Sequence, residues 1–456
     1  MLKADFDSRP FFMADDSIGR LSLIDPCDSR WHNTSISYAN TSSNEGNSHL
    51  YAGMLKQTIS TGNHQKVVYH DGFYRPTFVK EWDTAMPSTA RYSRSEYDGV
   101  GRAIYQSLPS DSTSTPYGTL TTYDGLNRTK TVDDNTTAGN VSYAYLSNHR
   151  VQVNDNKGNV TTTQYYSYGQ PSLDLTTHIN SPEGVSTLMA YNLYGNVTSI
   201  SQGGLTEQRV YDSYQQLCKT VRPDVGNSAF AYDVKGQMSW QASGSSISTS
   251  SSSCDYAVSA ADKITYTYNS IGSLLSVNFA DSSPDQNYLY DPGNRLTRLI
   301  AGNVTTYYEY NSNNLVEKET LAVDGQNFVL DYAYNANGHL SSTLYPSGNN
   351  VAYSPNALGQ AKQVGSFANN ATYHPNGMVK THNYGNGFSH TSTQNTSGLP
   401  STFYDRLNSS YALHHGFTYD ANNNITFLDD RVNNAYDLSL TFDGLDRLNN
   451  ITDSYL

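Results

Sequence analysis

The stretch YLYDPGNRLTRLI, Tyr288 to Ile300, places alternating side chains on either side of a short Asp-Pro-Gly-Asn segment. Residues i and i+2 of a strand share a face, so Tyr288 and Tyr290 stand together on a strand that ends at Asp291. An Asp at the head of a turn can bond its own backbone two residues on. Asn294 belongs to the small set of residues that tolerate positive φ. The segment therefore reads as a hairpin, with LTRLI as the returning strand. Arg295 follows the reversal and is placed to pair with Asp291. A surface pair of that kind contributes roughly 0–1 kcal/mol, so it tunes the bend more than it holds the fold.

The pattern recurs along the chain. In eleven copies of the pattern an aromatic residue is followed four positions later by Gly, Asn or Asp, and in ten of these Asp or Asn directly follows the aromatic. The clearest copies are Tyr97-Asp98 with Gly101, Tyr123-Asp124 with Asn127, Tyr290-Asp291 with Asn294 and Arg295, Tyr334-Asn335 with Gly338, and Phe442-Asp443 with Asp446. The exception carries His374, and Tyr211-Asp212 has Gln215 at the fourth step. Neighbouring copies commonly lie 20 to 26 residues apart, the length of a hairpin plus a connection. Aromatic pairs at i and i+2 precede many turns, among them Tyr143/Tyr145, Tyr166/Tyr168, Tyr266/Tyr268, Tyr308/Tyr310 and Tyr332/Tyr334. Stacked hairpins would align them as ladders, each cross-strand pair contributing about 0.2–1 kcal/mol. Degenerate copies read as DDSIGR, VNDNKGNV, YSPNALGQ and VVYHDGFYR, the last with one extra residue after Tyr69.

Composition agrees with an all-β repeat chain. There are 38 Tyr against 14 Phe and 3 Trp, and charged residues make up only 15% of 456. Tyr, Thr and Val suit a half-buried pleated surface. A net charge of −13 with no Lys/Arg block argues against nucleic-acid binding. The first seventeen residues contain no apolar core of a signal peptide, and no apolar run is long enough to span a membrane. Cys27, Cys218 and Cys254 are odd in number, show no metal-ligand spacing and read as incidental, a Cys218–Cys254 disulfide being the less favoured alternative. The Ser-rich tract 243–254 reads as a flexible loop insertion.

No catalytic, cofactor-binding or metal-binding residues are assigned. His414 and His415 are adjacent and so point to opposite faces. The Asp pairs are sequence neighbours and do not face each other across a cleft. No GxSxG, GxGxxG or Walker loop is present.

YDGVGR, YDGLNR, YDPGNR, YNANGHLSSTLYPSG and FDGLDR resemble the YD repeat of Rhs proteins, also found in the B/C components of insecticidal toxin complexes and in teneurins. The resemblance runs from about Asp16 to the end. It implies a β-sheet that spirals into a hollow shell enclosing a C-terminal toxin domain in bacterial members. The Asp-Pro- and Gly-rich core segment that closes such shells has no match here, so neither self-cleavage nor toxin activity is carried over.

The expected organisation is degenerate repeats over 1–66 and a regular array over 67–456, with no C-terminal core or toxin domain. The expected function is a non-enzymatic shell segment of an Rhs-type toxin system, secreted or displayed through a dedicated secretion route. Its expected partners are the remaining shell and core segments and an encapsulated toxin. A cell-surface carbohydrate-binding or adhesion protein is the alternative, because aromatic faces can stack on sugars.

Overall fold

The computed structural model describes residues 12–136, 139–167 and 173–453; Tyr168, one half of an expected aromatic pair, lies outside them. The chain is built almost entirely of antiparallel strands, joined by turns and three single 3₁₀ turns. Twenty-nine strands, from Phe12–Asp15 to Asn350–Ala352, form one sheet, and eight, from Ala368–Tyr373 to Leu448–Asp453, form a second. Within each sheet every strand pairs with its sequence neighbour, so the topology is one long meander.

Local chemistry explains the meander. Gln286–Tyr290 pairs with Leu296–Ala301, Tyr288 opposite Leu299, and the register slips by one residue next to Tyr290. That slip is a bulge, and its cause is the turn. Asn294 N–H donates to the Asp291 carbonyl at 2.9 Å, and Asp291 N–H donates to the Arg295 carbonyl at 3.0 Å. Asn294 has φ +61°. This is a type I turn followed by a left-handed residue, a common three-residue hairpin solution. The same slip recurs beside Tyr97, Tyr123, Tyr334 and Phe442.

The sheet closes on itself. Asp83 accepts from Ala357 N–H at 2.8 Å. Asn422 donates to Asp155 at 2.7 Å, and Gly444 N–H donates to Glu183 at 2.9 Å. The bonded loops are 22 or 23 strands apart along the meander. A second winding therefore lies against the first, its turn rim seated on the opposite rim of the strands before it. A compact chain of 50.3 kDa would expose about 17,000 Å², whereas this one exposes 25,723 Å². The excess belongs to a wall one sheet thick.

Two small cores sit on the sheet face opposite the turn tyrosines, where loops fold over it. Leu50 and Met54 cover Val67, Tyr69 and Phe78. Ile247 and Val258 cover Ala229 and Ala242, with Trp240 alongside.

The second core corrects two expectations. Cys218 and Cys254 are joined by a disulfide, and the Ser-rich tract is not a free insertion. Ile247 is 2% exposed. Asn227 Nδ2 donates to the Ile247 carbonyl at 3.0 Å, and Ser248 N–H donates to Asp255 at 2.9 Å. The tract's one Ile carries the packing, and the fold brings together two cysteines 36 residues apart. A third correction concerns VVYHDGFYR. Asp71 N–H donates to the Arg75 carbonyl in the ordinary turn pattern, so no residue is inserted; His70 takes the aromatic's place.

Candidate functional site

The repeated turn is the one constellation that recurs throughout, and its side chains do more than reverse the chain. In the Asp291 turn, Oδ1 accepts from Arg295 N–H at 2.9 Å, and Oδ2 accepts from Arg295 Nε at 2.6 Å. Partial desolvation pushes the Asp291 carboxyl up, but the backbone and guanidinium bonds of Arg295 overcome it and hold the carboxyl below its ordinary range. Asp98, Asp124 and Asp443 bind Arg102, Arg128 and Arg447 in the same way. Asn335 accepts from Asn337 and His339 N–H, both at 3.0 Å. Gly101, Asn127, Gly338 and Asp446 occupy the left-handed position, with φ +95°, +65°, +84° and +56°.

Each turn is also tied to the one before it. The Tyr310 hydroxyl donates to the Leu296 carbonyl at 2.7 Å, just after the preceding turn. Tyr97, Tyr123, Tyr290 and Tyr334 make the same bond to Pro76, Ala103, Leu274 and Val316. Phe442 has no hydroxyl to donate. The arginines complete the link. Arg295 lies 4.8 Å from the Tyr310 ring centroid, and its Nη1 donates to Asn314 at 2.5 Å. Arg102 lies over Tyr123, and Arg128 over Tyr145.

The sequence reading assigned Arg295 to its own bend. In the fold it clamps two successive repeats, combining a charge-assisted fork with a ring contact. The signal was available in the recurrence of Arg after one turn and Tyr before the next.

Sequence reasoning also missed the seam between windings. Lys157 Nζ sits between Asp420, at 3.1 Å, and Asp446, at 3.3 Å. Asn156 Nδ2 donates to the Ala421 carbonyl at 3.0 Å. The sequence marks Asp155 only as a degenerate turn; the fold places it on the seam, where it accepts from Asn422. Another seam contact uses the Asn395 turn, which lacks the aromatic that marks the other copies: in it Ser397 bonds Thr136 at 2.6 Å.

The short sheet carries a separate cluster. His382 stacks on His390, ring centroids 4.7 Å apart, and His390 Nδ1 lies 2.6 Å from Asp405. His414 and His415 pair with Tyr404 and Phe403 on opposite faces. Among the described residues no group of three His, Cys, Asp or Glu is arranged to hold a metal ion, and no helix is long and apolar enough to cross a membrane.

Neither the family models nor the curated proteins searched contain a match to this chain. Solved structures do match. The crystal structure of TcdB2–TccC3 superposes with a TM-score of 0.69 at 14% identity, over 98% of this chain and 28% of that one. This chain shares the fold of part of TcdB2–TccC3. The TcdB2–TccC3–Cdc42 crystal structure gives 0.68 at 15% identity, over 92% of this chain and 24% of that one. The Photorhabdus luminescens Tc holotoxin pore gives 0.63 at 14%, also over 92% and 24%. The chain thus spans about a quarter of the length of the chains it matches.

Proposed function

We propose that this chain is a wall segment of a hollow protein shell, part of an Rhs-type toxin system that encloses an effector domain carried elsewhere. The observation that carries this reading is the closure of one thin meander on itself through the seam bonds at Asp83, Asp155 and Glu183. With strands about 4.8 Å apart, 22 strands give a circumference of about 105 Å and a width of about 34 Å. Subtracting side chains still leaves room for an extended or partly folded chain. The shared fold with part of TcdB2–TccC3 supports the same reading. The turn residues Tyr97, Asp98, Asp124, Asp291, Arg295, Asn335 and Asp443 then act as joints of the wall, and we assign the chain no reaction of its own. Its partners are further shell segments and the enclosed effector, and a dedicated export route places it outside the cell that makes it.

Electron microscopy of the purified chain tests this. A ring-shaped projection with an empty centre is expected; a solid body or an extended rod would overturn the reading.

One place favours the alternative of carbohydrate binding. A groove of about 350 Å³ opens at the seam, lined by Tyr117, Asp111, Asn376 and Gln394 among others. A ring beside amide and carboxylate groups suits a sugar. A glycan array on which Tyr117→Ala binds no less than the parent would remove that alternative.

A further inference from the structure

The turns on one rim of the spiral meet two different fates. In the second winding they are seated against the first, and their tips are mostly small or polar. Asn313, Asn337, Asn376, Ser397 and Asn422 occupy the third turn position, with Leu358 and Leu445 the exceptions. The bonds they and their neighbours make are polar: Ser312 accepts from Trp31 Nε1 at 3.0 Å, and the Ala336 carbonyl accepts from His32 N–H at 2.8 Å.

Among the described residues no later winding lies against the same rim of the first winding, and its tips are mostly large and apolar. Phe73, Val100, Leu126, Tyr194 and Tyr214 stand at the third turn position and Leu193 and Val234 at the second, with Lys235 the polar exception; Leu193 and Val234 are fully exposed. They do not cover the sheet face, because they sit at the reversal itself. Side chains this apolar and this exposed, aligned along one edge, mark an interaction surface.

We propose that the free rim of the first winding is a self-association surface, on which a second copy of this chain docks rim to rim about a two-fold axis. Three observations select that occupant. The first is chemical. The seam works by polar bonds, Asp83 and Glu183 accepting from the Ala357 and Gly444 N–H groups and Asp155 from Asn422 Nδ2, and seats only two apolar tips, Leu358 and Leu445; a rim lined by apolar tips along its length is matched better by an equally apolar rim.

The second is area. Ten aliphatic or aromatic tips between Ile18 and Ile271 are at least 70% exposed. At roughly 100–200 Å² each, they offer on the order of 1,000 Å² per copy, more than the ~800 Å² per partner of a stable interface. The third is shape. Successive turns on the rim are two strands, or about 10 Å, apart, leaving gaps into which a partner's tips fit. The rim climbs as the sheet spirals, and a ramp turned over about a perpendicular two-fold keeps its hand. Two copies therefore meet along the whole edge, in the self-complementary manner of a two-fold dimer. Much of the rim's charge is balanced locally, because Asp16, Asp71, Asp98 and Asp124 each pair with the Arg of their own turn, which leaves the Asp212 and Asp233 turns without one.

Sedimentation equilibrium of the full chain across concentration and salt is the test. The expected result is a dimer of twice the chain mass. It tightens as salt screens the net charge of −13. It weakens at least tenfold in the triple variant Leu126→Ser, Leu193→Ser, Val234→Ser, with an unchanged circular dichroism spectrum and melting temperature confirming the fold. Leu358→Ser, at a seated tip, is expected to leave the dimer constant unmoved. The proposal is overturned by a monomer at 100 µM, by a mass that grows without limit, or by a dimer indifferent to the triple variant. A monomer that binds neutral phosphatidylcholine vesicles through these tips would overturn it in favour of a lipid surface.

Discussion

The long sheet and the short sheet use the same turn but present different rungs. Two residues before its turn tyrosines, the long sheet carries Tyr266, Tyr288, Tyr308 and Tyr332. On the corresponding face of the short sheet stand His382, His390 and His415, with Phe403 between His390 and His415 and Phe417 beside His415 on its strand. Burial pushes the hydroxyls of Tyr266, Tyr308 and Tyr332 up, so those rungs stay neutral at any ordinary pH. His382 is pushed down, first by burial and then by His390. The long sheet also holds the disulfide and five of the six turn arginines that bind their own Asp. The reversal is thus specified by the turn alone, and the rungs are free to differ. The two sheets should fail under different conditions.

Reduction should separate them most. Cys218–Cys254 closes a loop of 36 residues, and chain entropy assigns such a link about 3–4 kcal/mol. Cys254→Ser should lower urea stability by about that amount, with the loss concentrated in the strands Leu217–Val221, Ser228–Tyr232 and Met238–Ser243. Hydrogen exchange should show the short sheet keeping its protection. Equal loss of protection in both sheets would mean that they unfold as one unit, and the comparison would fail.

Those strands also show where the sequence stopped being legible. The hairpins were readable because Asp291, Asn294 and their counterparts act on backbone within five residues, and such chemistry needs no tertiary context. The disulfide was not readable, because it depends on which strands become neighbours after folding. The role of Ile247 was hidden in the same way: one apolar residue among serines looks like noise until a recess between Ala229 and Ala242 is in place. The seam was out of reach for a stronger reason. Lys157 meets Asp420 and Asp446 only because one winding consumes 22 strands, a number fixed by the sheet's curvature rather than by any local motif. The arginine clamp lies between these cases, since its two halves were each noticed but not joined.

The clamp gives the next effect in size. Arg295→Ala removes a fork to Asp291 and a ring contact with Tyr310, and is expected to cost about 1–2 kcal/mol. Arg447 keeps the fork to Asp443 but, among the described residues, lies under no ring, so Arg447→Ala should cost no more than about 0.5 kcal/mol. Arg295→Lys should recover only part of the loss, because an ammonium cannot reproduce the planar fork. Tyr310→Phe, which deletes only the hydroxyl donated to Leu296, should cost about 1 kcal/mol. Chemical denaturation of the four variants orders them. Equal costs for Arg295→Ala and Arg447→Ala would show that the inter-repeat contact adds nothing and that the fork within the turn is the whole effect.

The smallest expected effect tests the rungs themselves. His382 shares its face with Lys380, Tyr384, His390 and Asp405, and its proton affinity is lower in the fold than in the unfolded chain. Above the ordinary histidine value, about 6.5, it is neutral in both states and its contribution is fully present. As pH falls below that value the unfolded chain takes up the proton first, so stability drops until the folded value is passed and then levels off. The short sheet should therefore lose hydrogen-exchange protection between pH 7 and pH 5, while the Tyr-runged strands around Tyr266 and Tyr308 hold theirs. His382→Phe should flatten that slope and leave neutral-pH stability nearly unchanged, because a ring still stacks on His390. A slope that survives the substitution would move the cause to His374 or His414, which burial also pushes down. The two then differ in their location: His374 lies at the seam groove, so a slope from it should be felt on both sides of the seam, whereas one from His414 should stay within the strands Pro400–Leu407 and Ser410–Tyr419.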